Sequence, residues 1–274
     1  MKDKKGTLEA LVFGMLTIGF SYFVFWGPIA VFRVPTISFV STTKGPIWAI
    51  MLFLIGGFVP SIVALALTRL NEGKAGLKAF LRRAIEFKIG VKWYFIIIGI
   101  AFVGAMGQIL INSVLGNKFQ FDLYIKQLPS LLPLLITGPL SEEFGWRGYF
   151  LRKLQKNHSA LLSSLIVGIT WAFWHLPLFF MVGTSQSELK LPFVGFLVGI
   201  IAQSIIMTWI DSNTGSSIFA AIFYHWVFTY VAQVNSTGVT RSIAYNLLEY
   251  APYVLIAIII IIVYGEKSFR KENT

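Results

Sequence analysis

Uncharged or nearly uncharged runs recur along the whole chain, separated by short segments that hold most of the lysines and arginines. The clearest are Ala10 to Phe32, Pro46 to Thr68, Trp93 to Asn117, Ser159 to Ser187, Leu191 to Ile210 and Ser212 to Thr240. Each is long enough to cross an apolar layer ~30 Å thick, which takes about 20 helical residues. Two weaker runs are Gln127 to about Leu154, interrupted by Glu142 and Glu143, and Ile243 to Tyr264, which holds Glu249 and Pro252. No alternating ten-residue barrel pattern is present, and a spanning backbone must satisfy its own hydrogen bonds. The pattern predicts an all-α, polytopic integral membrane protein with about eight transmembrane helices.

Composition agrees. Of 274 residues 56% are hydrophobic and 13% charged, whereas a soluble domain needs about a quarter charged residues to coat its surface. Cysteine is absent, which removes disulfides, thiol catalysis, cysteine-rich metal sites and cysteine lipidation. The net charge of +11 belongs to loops rather than to a nucleic-acid-binding face. With the N-terminus inside, 17 Lys and Arg fall on inner segments and 6 on outer ones, namely Arg33, Lys44, Lys118, Lys126, Lys190 and Arg241. That bias predicts both termini in the cytoplasm. The first run is too long for a signal-peptide core and stays as an anchor. Between the second and third spans, Leu77, Phe80, Leu81, Ala84 and Ile85 recur at helical spacing opposite Lys74, Lys78, Arg82 and Arg83. This predicts an amphipathic helix on the inner leaflet, a surface that attracts basic segments. No repeat or soluble domain is visible, so residues 1–274 read as one membrane domain.

The chemistry lies where ionisable groups interrupt apolar runs, because a charge at a helix centre costs about 2.5–3.5 kcal/mol on insertion scales. Glu142 and Glu143 adjoin in Ser141-Glu142-Glu143-Phe144-Gly145-Trp146-Arg147, His175 follows Trp174, and His225 precedes Trp226. Adjacent helical residues point about 100° apart, whereas Glu143 and Arg147 are four apart and can pair. The pair neutralises two awkward charges and leaves Glu142 without a local partner, which makes it the functional-site candidate. If the fourth and fifth helices form a hairpin about Asn157 and His158, Glu142 lies level with about Phe173, half a turn from His175. Pro177 removes the helical donor from the carbonyl of Phe173 and allows a kink beside the histidine. His225 and Thr229 share a face of the seventh helix; the threonine either assists the site or bonds back to its own helix. His158 reads as a loop residue.

These residues, Glu142-Glu143-x-x-x-Arg147 followed by Gly148-Tyr149-Phe150-Leu151, then Trp171-x-x-x-His175 and His225-x-x-x-Thr229, resemble the motifs of the CAAX protease and bacteriocin-processing (CPBP) family of intramembrane endopeptidases, related to the type II CAAX prenyl proteases. The resemblance covers about Leu131 to Ala232, within a core taken as residues 127–233. This chain departs from the family's pattern at Trp171, where Phe is usual, and at Thr229, where Asn or Asp is usual.

The resemblance implies peptide-bond hydrolysis, with Glu142 and His175 activating water and His225 holding the developing oxyanion. Glu143, Arg147 and Thr229 would support them, and no cofactor is required. The same two His and one Glu are also a possible catalytic zinc set (Glu142, His175, His225), although no His-Glu-x-x-His helix is present. The implied partners are a membrane-anchored peptide or protein substrate and the bilayer of a bacterial cell membrane, with no nucleic acid. The competing readings are an impaired family member acting as a scaffold or regulator, to which Thr229 points, and a small proton-coupled transporter. Against the transporter, the spans show no duplicated halves. Counting a continuous helix from Gln127 puts Glu142 about 22 Å from the outer end, which predicts water access and cleavage near the cytoplasmic face.

Overall fold

The computed structural model describes residues 3–36, 44–116, 121–235 and 242–271. Among the described residues it is all-α, a polytopic integral membrane protein as the hydrophobic pattern predicts. Among the described residues, five helices are long and apolar enough to cross a membrane: Lys4–Val31, Ile47–Ile85, Val91–Val114, Phe193–Asn213 and Ile243–Tyr264. We label the passes α1 (Lys4–Val31), α2 (Ile47–Arg82), α3 (Val91–Val114), α4 (131–154), α5 (Ala160–Trp174), α6 (Phe193–Asn213), α7 (Ile218–Asn235) and α8 (Ile243–Tyr264). Helix α6 is the most enclosed and packs between α5 and α8. Close approach there depends on Gly168 of α5: a Cβ at that position would lie 3.0 Å from the Ile201 Cα and the Ser204 Cβ.

Both ends of the described chain gather at one end of the bundle. The Asn157 side chain accepts from the Asp3 backbone N–H at 2.7 Å, and Lys156 pairs with Asp3 at 3.1 Å. The C-terminal segment reaches the same turn, where the Ala160 N–H donates to the Lys267 carbonyl at 2.7 Å. Arg83 closes the cluster, donating to the carbonyls of Ser216 and Gly148 at 3.0 and 3.1 Å. Lys156, Lys267 and Arg83, three of the cations expected on the inner side, therefore lie at turns that meet one another or the N-terminal segment. Lys2, Lys118 and Arg241 lie outside the described residues.

The predicted amphipathic helix is the C-terminal part of α2, beyond a break at Gly73, whose φ of 70° favours glycine. It is docked as well as amphipathic. Phe80 is buried against Phe144, while Leu81 and Ile85 stay exposed beside Lys74, Lys78 and Arg82.

The fourth pass departs from a simple span. A short helix Leu131–Thr137 ends at Gly138, Pro139 opens a second piece through Glu143, and a π-helical turn follows from Phe144 to Phe150. Proline lacks the N–H that a continuing helix needs, so the break falls where Pro139 stands. The two glutamates thus end one short helix immediately before a π turn, a feature frequent at functional sites. Gly145 lets this segment press against α2, since a Cβ there would lie 2.7 Å from the backbone of Pro60.

Lys153 is the most enclosed lysine of the basic end, bonded to Glu9 at 2.8 Å and Glu72 at 2.9 Å. Lys153→Met leaves the buried Glu9 without its cation, and removing one partner of a buried pair is strongly destabilising. We expect a loss of about 3 kcal/mol, seen as a lower unfolding midpoint in detergent, with Lys153→Arg close to wild type. An unchanged midpoint for Lys153→Met would show that the ion pair contributes nothing.

Candidate active site

Trp171 is the centre around which the predicted residues assemble. Its indole N–H donates to Glu142 at 2.5 Å, its carbonyl meets His175 Nδ1 at 2.9 Å, and its ring stands edge-on to His225 with centroids 5.2 Å apart. The Arg147 guanidinium lies 4.4 Å from the same ring. Hairpin geometry placed Glu142 level with Phe173; the contact falls half a turn earlier. The indole N–H was legible as a departure from the usual Phe, but its acceptor was not.

Glu143 pairs with Arg147, at 3.0 and 3.2 Å to the two carboxylate oxygens, with both side chains fully enclosed. Its second contact was not foreseen: Oε1 lies 2.7 Å from His225 Nδ1. Eighty-two residues separate the two, so no local spacing signals the contact. A carboxylate only accepts, so Nδ1 of His225 carries the proton and Nε2 is left for other partners. The same logic applies to His175: its Nδ1 faces a carbonyl, hence Nε2 keeps a lone pair. Glu142 and His225 are buried, and His175 is half-buried.

The kink expected at Pro177 takes another form. Helix α5 stops at Trp174, His175 caps it, and a short 3₁₀ turn runs over Leu176–Phe179. The Phe173 carbonyl accepts instead from the Tyr22 hydroxyl. The Trp174 indole donates to Ser21 Oγ at 2.7 Å and its ring lies 4.6 Å from Trp26. Ser21 and Tyr22 lie on a π turn of α1, so the first helix pins the end of the helix that presents His175. Hydropathy alone had marked that helix, and nothing in its sequence signals this task.

Glu142, His175, His225 and Thr229 line one cavity of about 280 Å³. It runs past Gln108 and Gln233 to half-buried Ser185 and Gln186, in the connection between α5 and α6. Many of the described lining residues, Trp26, Thr137, His175 and Ser185 among them, lie toward the helix ends and connections away from the turn at Asn157. The cavity thus reaches the connection between α5 and α6, and among the described residues none from the turn at Asn157 lines it. The depth count assumed one straight helix from Gln127, but the spanning part begins at Leu131 and breaks at Gly138. Glu142 is then at most about 16 Å from that helix start at 1.5 Å per residue.

The donor chemistry of the two imidazoles and Glu142 suits zinc. Nevertheless, no group of three His, Asp or Glu among the described residues is disposed to hold a metal ion, so the zinc set does not fit this geometry.

Comparison with known proteins follows the same residues. Residues 124–231 match the family model described as Rce1-like, type II CAAX prenyl endopeptidase Rce1-like. Over 255 residues the chain is 29% identical to CAAX prenyl protease 2 of Methanococcus maripaludis, covering 86% of this chain and 89% of that one. Both matches are to CAAX-type proteases, which bears out the resemblance read from the motifs.

Because Glu143 neutralises Arg147 in a sealed setting, Glu143→Leu and Arg147→Met should each lower stability by about 3–5 kcal/mol. The double variant should recover part of that loss, since no charge is then stranded. Unfolding midpoints of the four proteins in one detergent measure the coupling. Simple additivity would mean that the pair is not energetically linked.

Proposed function

From its similarity to the type II CAAX prenyl endopeptidases, we propose that this protein is an intramembrane endopeptidase working through a Glu- and His-activated water, without a required metal. The observation that carries the reading is the convergence of Glu142, His175 and His225 on one cavity around Trp171.

A water between Glu142 and His175 Nε2 is oriented by that lone pair and gives its proton to the Glu142 carboxylate as its oxygen attacks the scissile carbonyl. The new oxyanion is met by Nε2–H of His225 in its charged form, and Glu143 at Nδ1 stabilises that charge. Collapse of the tetrahedral intermediate breaks the C–N bond, and Glu142 returns its proton to the leaving amine. Arg147 pairs with Glu143 and fixes it. Trp171 holds Glu142 in place, and Thr229 adds a hydroxyl to the wall one turn beyond His225.

The substrate is a peptide or protein already held in the bilayer by a lipid or a hydrophobic segment. Combining the charge bias with the position of the cavity, both termini lie in the cytoplasm and cleavage occurs in the half of the membrane away from it. Single cysteines at Lys5, Arg82 and Lys190 in this cysteine-free chain test the orientation by impermeant labelling. Lys190 should label from outside, and Lys5 and Arg82 only after permeabilisation. Labelling of Arg82 alone from outside would reverse the assignment.

The chemistry is tested with fluorogenic peptides bearing a lipid or transmembrane anchor. Glu142→Gln, His175→Ala and His225→Ala should each lower kcat by ~100-fold or more, the scale of a lost general acid–base group, in folded, membrane-inserted protein. Activity should survive prolonged treatment with a strong chelator. One zinc per chain, lost together with activity in the histidine variants, would establish the metal reading. A wild-type protein inert toward every anchored peptide would favour the scaffold reading to which Thr229 points.

A further inference from the structure

The guanidinium that pairs with Glu143 is only half used. Arg147 gives Nη1 to both carboxylate oxygens of Glu143 at 3.0 and 3.2 Å, while its Nε and Nη2 are enclosed and have no hydrogen-bond partner among the described residues. A carboxylate outside the catalytic scheme is left over in a matching way. Asp211, in the last turn of α6, is 1% exposed, and neither of its oxygens has a hydrogen-bond partner of ordinary geometry among the described residues. The side chains that act on it are those of Arg152, Arg83, Ser216 and Arg147.

Buried polar groups are nearly always hydrogen-bonded, and a buried charge needs both a counter-charge and hydrogen bonds. Here two donors of Arg147 and two acceptors of Asp211 remain, near enough to act on one another yet not in direct contact. Arg83 leaves a third donor, Nη2, after giving Nε to the Ser216 carbonyl and Nη1 to that of Gly148. Arg152 is spent on Ser216 Oγ at 2.7 Å. Ser216 has a single hydroxyl proton to give, whereas a carboxylate accepts at about four positions. Enclosed donors and acceptors of opposite charge that stand near without touching are what a buried water joins, since such a water makes about two to four bonds to groups otherwise unsatisfied.

We propose that buried water joins Asp211 to Arg147 and Arg83, and that Asp211 is thereby a positioning residue for the reaction. It holds the unused side of the Arg147 guanidinium, Arg147 fixes Glu143, and Glu143 orients His225 through Nδ1. The chain of contacts runs from α6 through α4 to α7. Without the Asp211 charge, the guanidinium is secured through Nη1 alone; Glu143 loosens with it, and Nε2 of His225 loses its aim. The kinetic part of this rests on the endopeptidase reading above, while the coupling to His225 is read out without turnover.

The chain has 3 histidines, so the full-length protein, isotope-labelled in histidine only and held in detergent, gives a simple magnetic-resonance spectrum. The Nδ1 proton that His225 shares with Glu143 should appear far downfield and vanish in His225→Ala. Asp211→Asn, nearly unchanged in shape, should move that signal in folded protein. Arg147→Lys keeps a cation for Glu143 but removes the two nitrogens left for Asp211; it should move the signal too, and adding Asp211→Asn to it should move the signal no further. With anchored fluorogenic peptides, Asp211→Asn should lower kcat by about tenfold and leave KM within about twofold, the scale of an interaction inside one network. The two substitutions should again fail to add. If Asp211→Asn does not fold, Asp211→Glu, which keeps the charge and displaces its oxygens, replaces it with the same expectations. A His225 signal that stays in its wild-type position, or effects that simply add in the double variant, would overturn the proposal and leave Asp211 as a counter-ion for Arg83 and Arg152 alone. A shifted, non-additive signal in a chain whose wild type cleaves no peptide would uphold the coupling and sink the endopeptidase reading instead.

Discussion

The buried carboxylate of Glu143 is the point on which the rest of the structure depends. An isolated charge in an apolar interior is so unfavourable that it must be paired or neutralised, and here one carboxylate serves two partners on different helices, Arg147 of α4 and His225 of α7. That shared contact ties the broken fourth pass to the seventh helix. It also sets the proton of His225 on Nδ1, which turns Nε2 toward chemistry. Among the described residues the remaining guanidinium nitrogens of Arg147 have no hydrogen-bond partner; the face of Trp171 at 4.4 Å supplies part of what they lack. A fully enclosed ion pair is weak support for stability but a strict specification of geometry, and geometry is what a site of this kind requires.

Much of this was legible in the sequence because it is local. Spans follow from run length, the Glu143–Arg147 pair from a four-residue spacing, and the approach of Glu142 to the helix bearing His175 from the short turn at Asn157. Contacts between distant segments left no such trace. The bond from Glu143 to His225 joins residues that share neither spacing nor helix face. Tyr22 and Ser21, which hold the end of α5, are ordinary polar residues in an apolar run. The carbonyl of Phe173 shows the limit well: Pro177 revealed that it would need a donor, but nothing in the chain named Tyr22 as the one.

Reading the fourth pass as one continuous helix hid more than a boundary. Gly138 and Pro139 were visible in the sequence, yet their effect depends on whether neighbouring helices re-satisfy the freed backbone, and within a membrane that is often possible. Here the helix stops and restarts. The restart is followed by a π turn, so the residues after Glu143 are rotated relative to an α-helix, while Arg147 still reaches back to Glu143. One break therefore sets Glu142 closer to the start of its helix than a continuous helix from Gln127 would.

The charge of the loops contrasts with the charge of the cavity. The basic end is closed by its own contacts, where Arg83, Arg152 and Lys153 are spent on carbonyls, Ser216 and the carboxylates of Glu9 and Glu72. Cations that hold an end together by satisfying buried acceptors are not free to greet a substrate. The opposite end carries few cations, and its cavity wall presents carboxylates and amides. A molecule that concentrates positive charge on one surface and leaves its cavity acidic is polarised along the membrane normal. Loop charge of this kind is what biases the orientation of a polytopic protein in a bilayer.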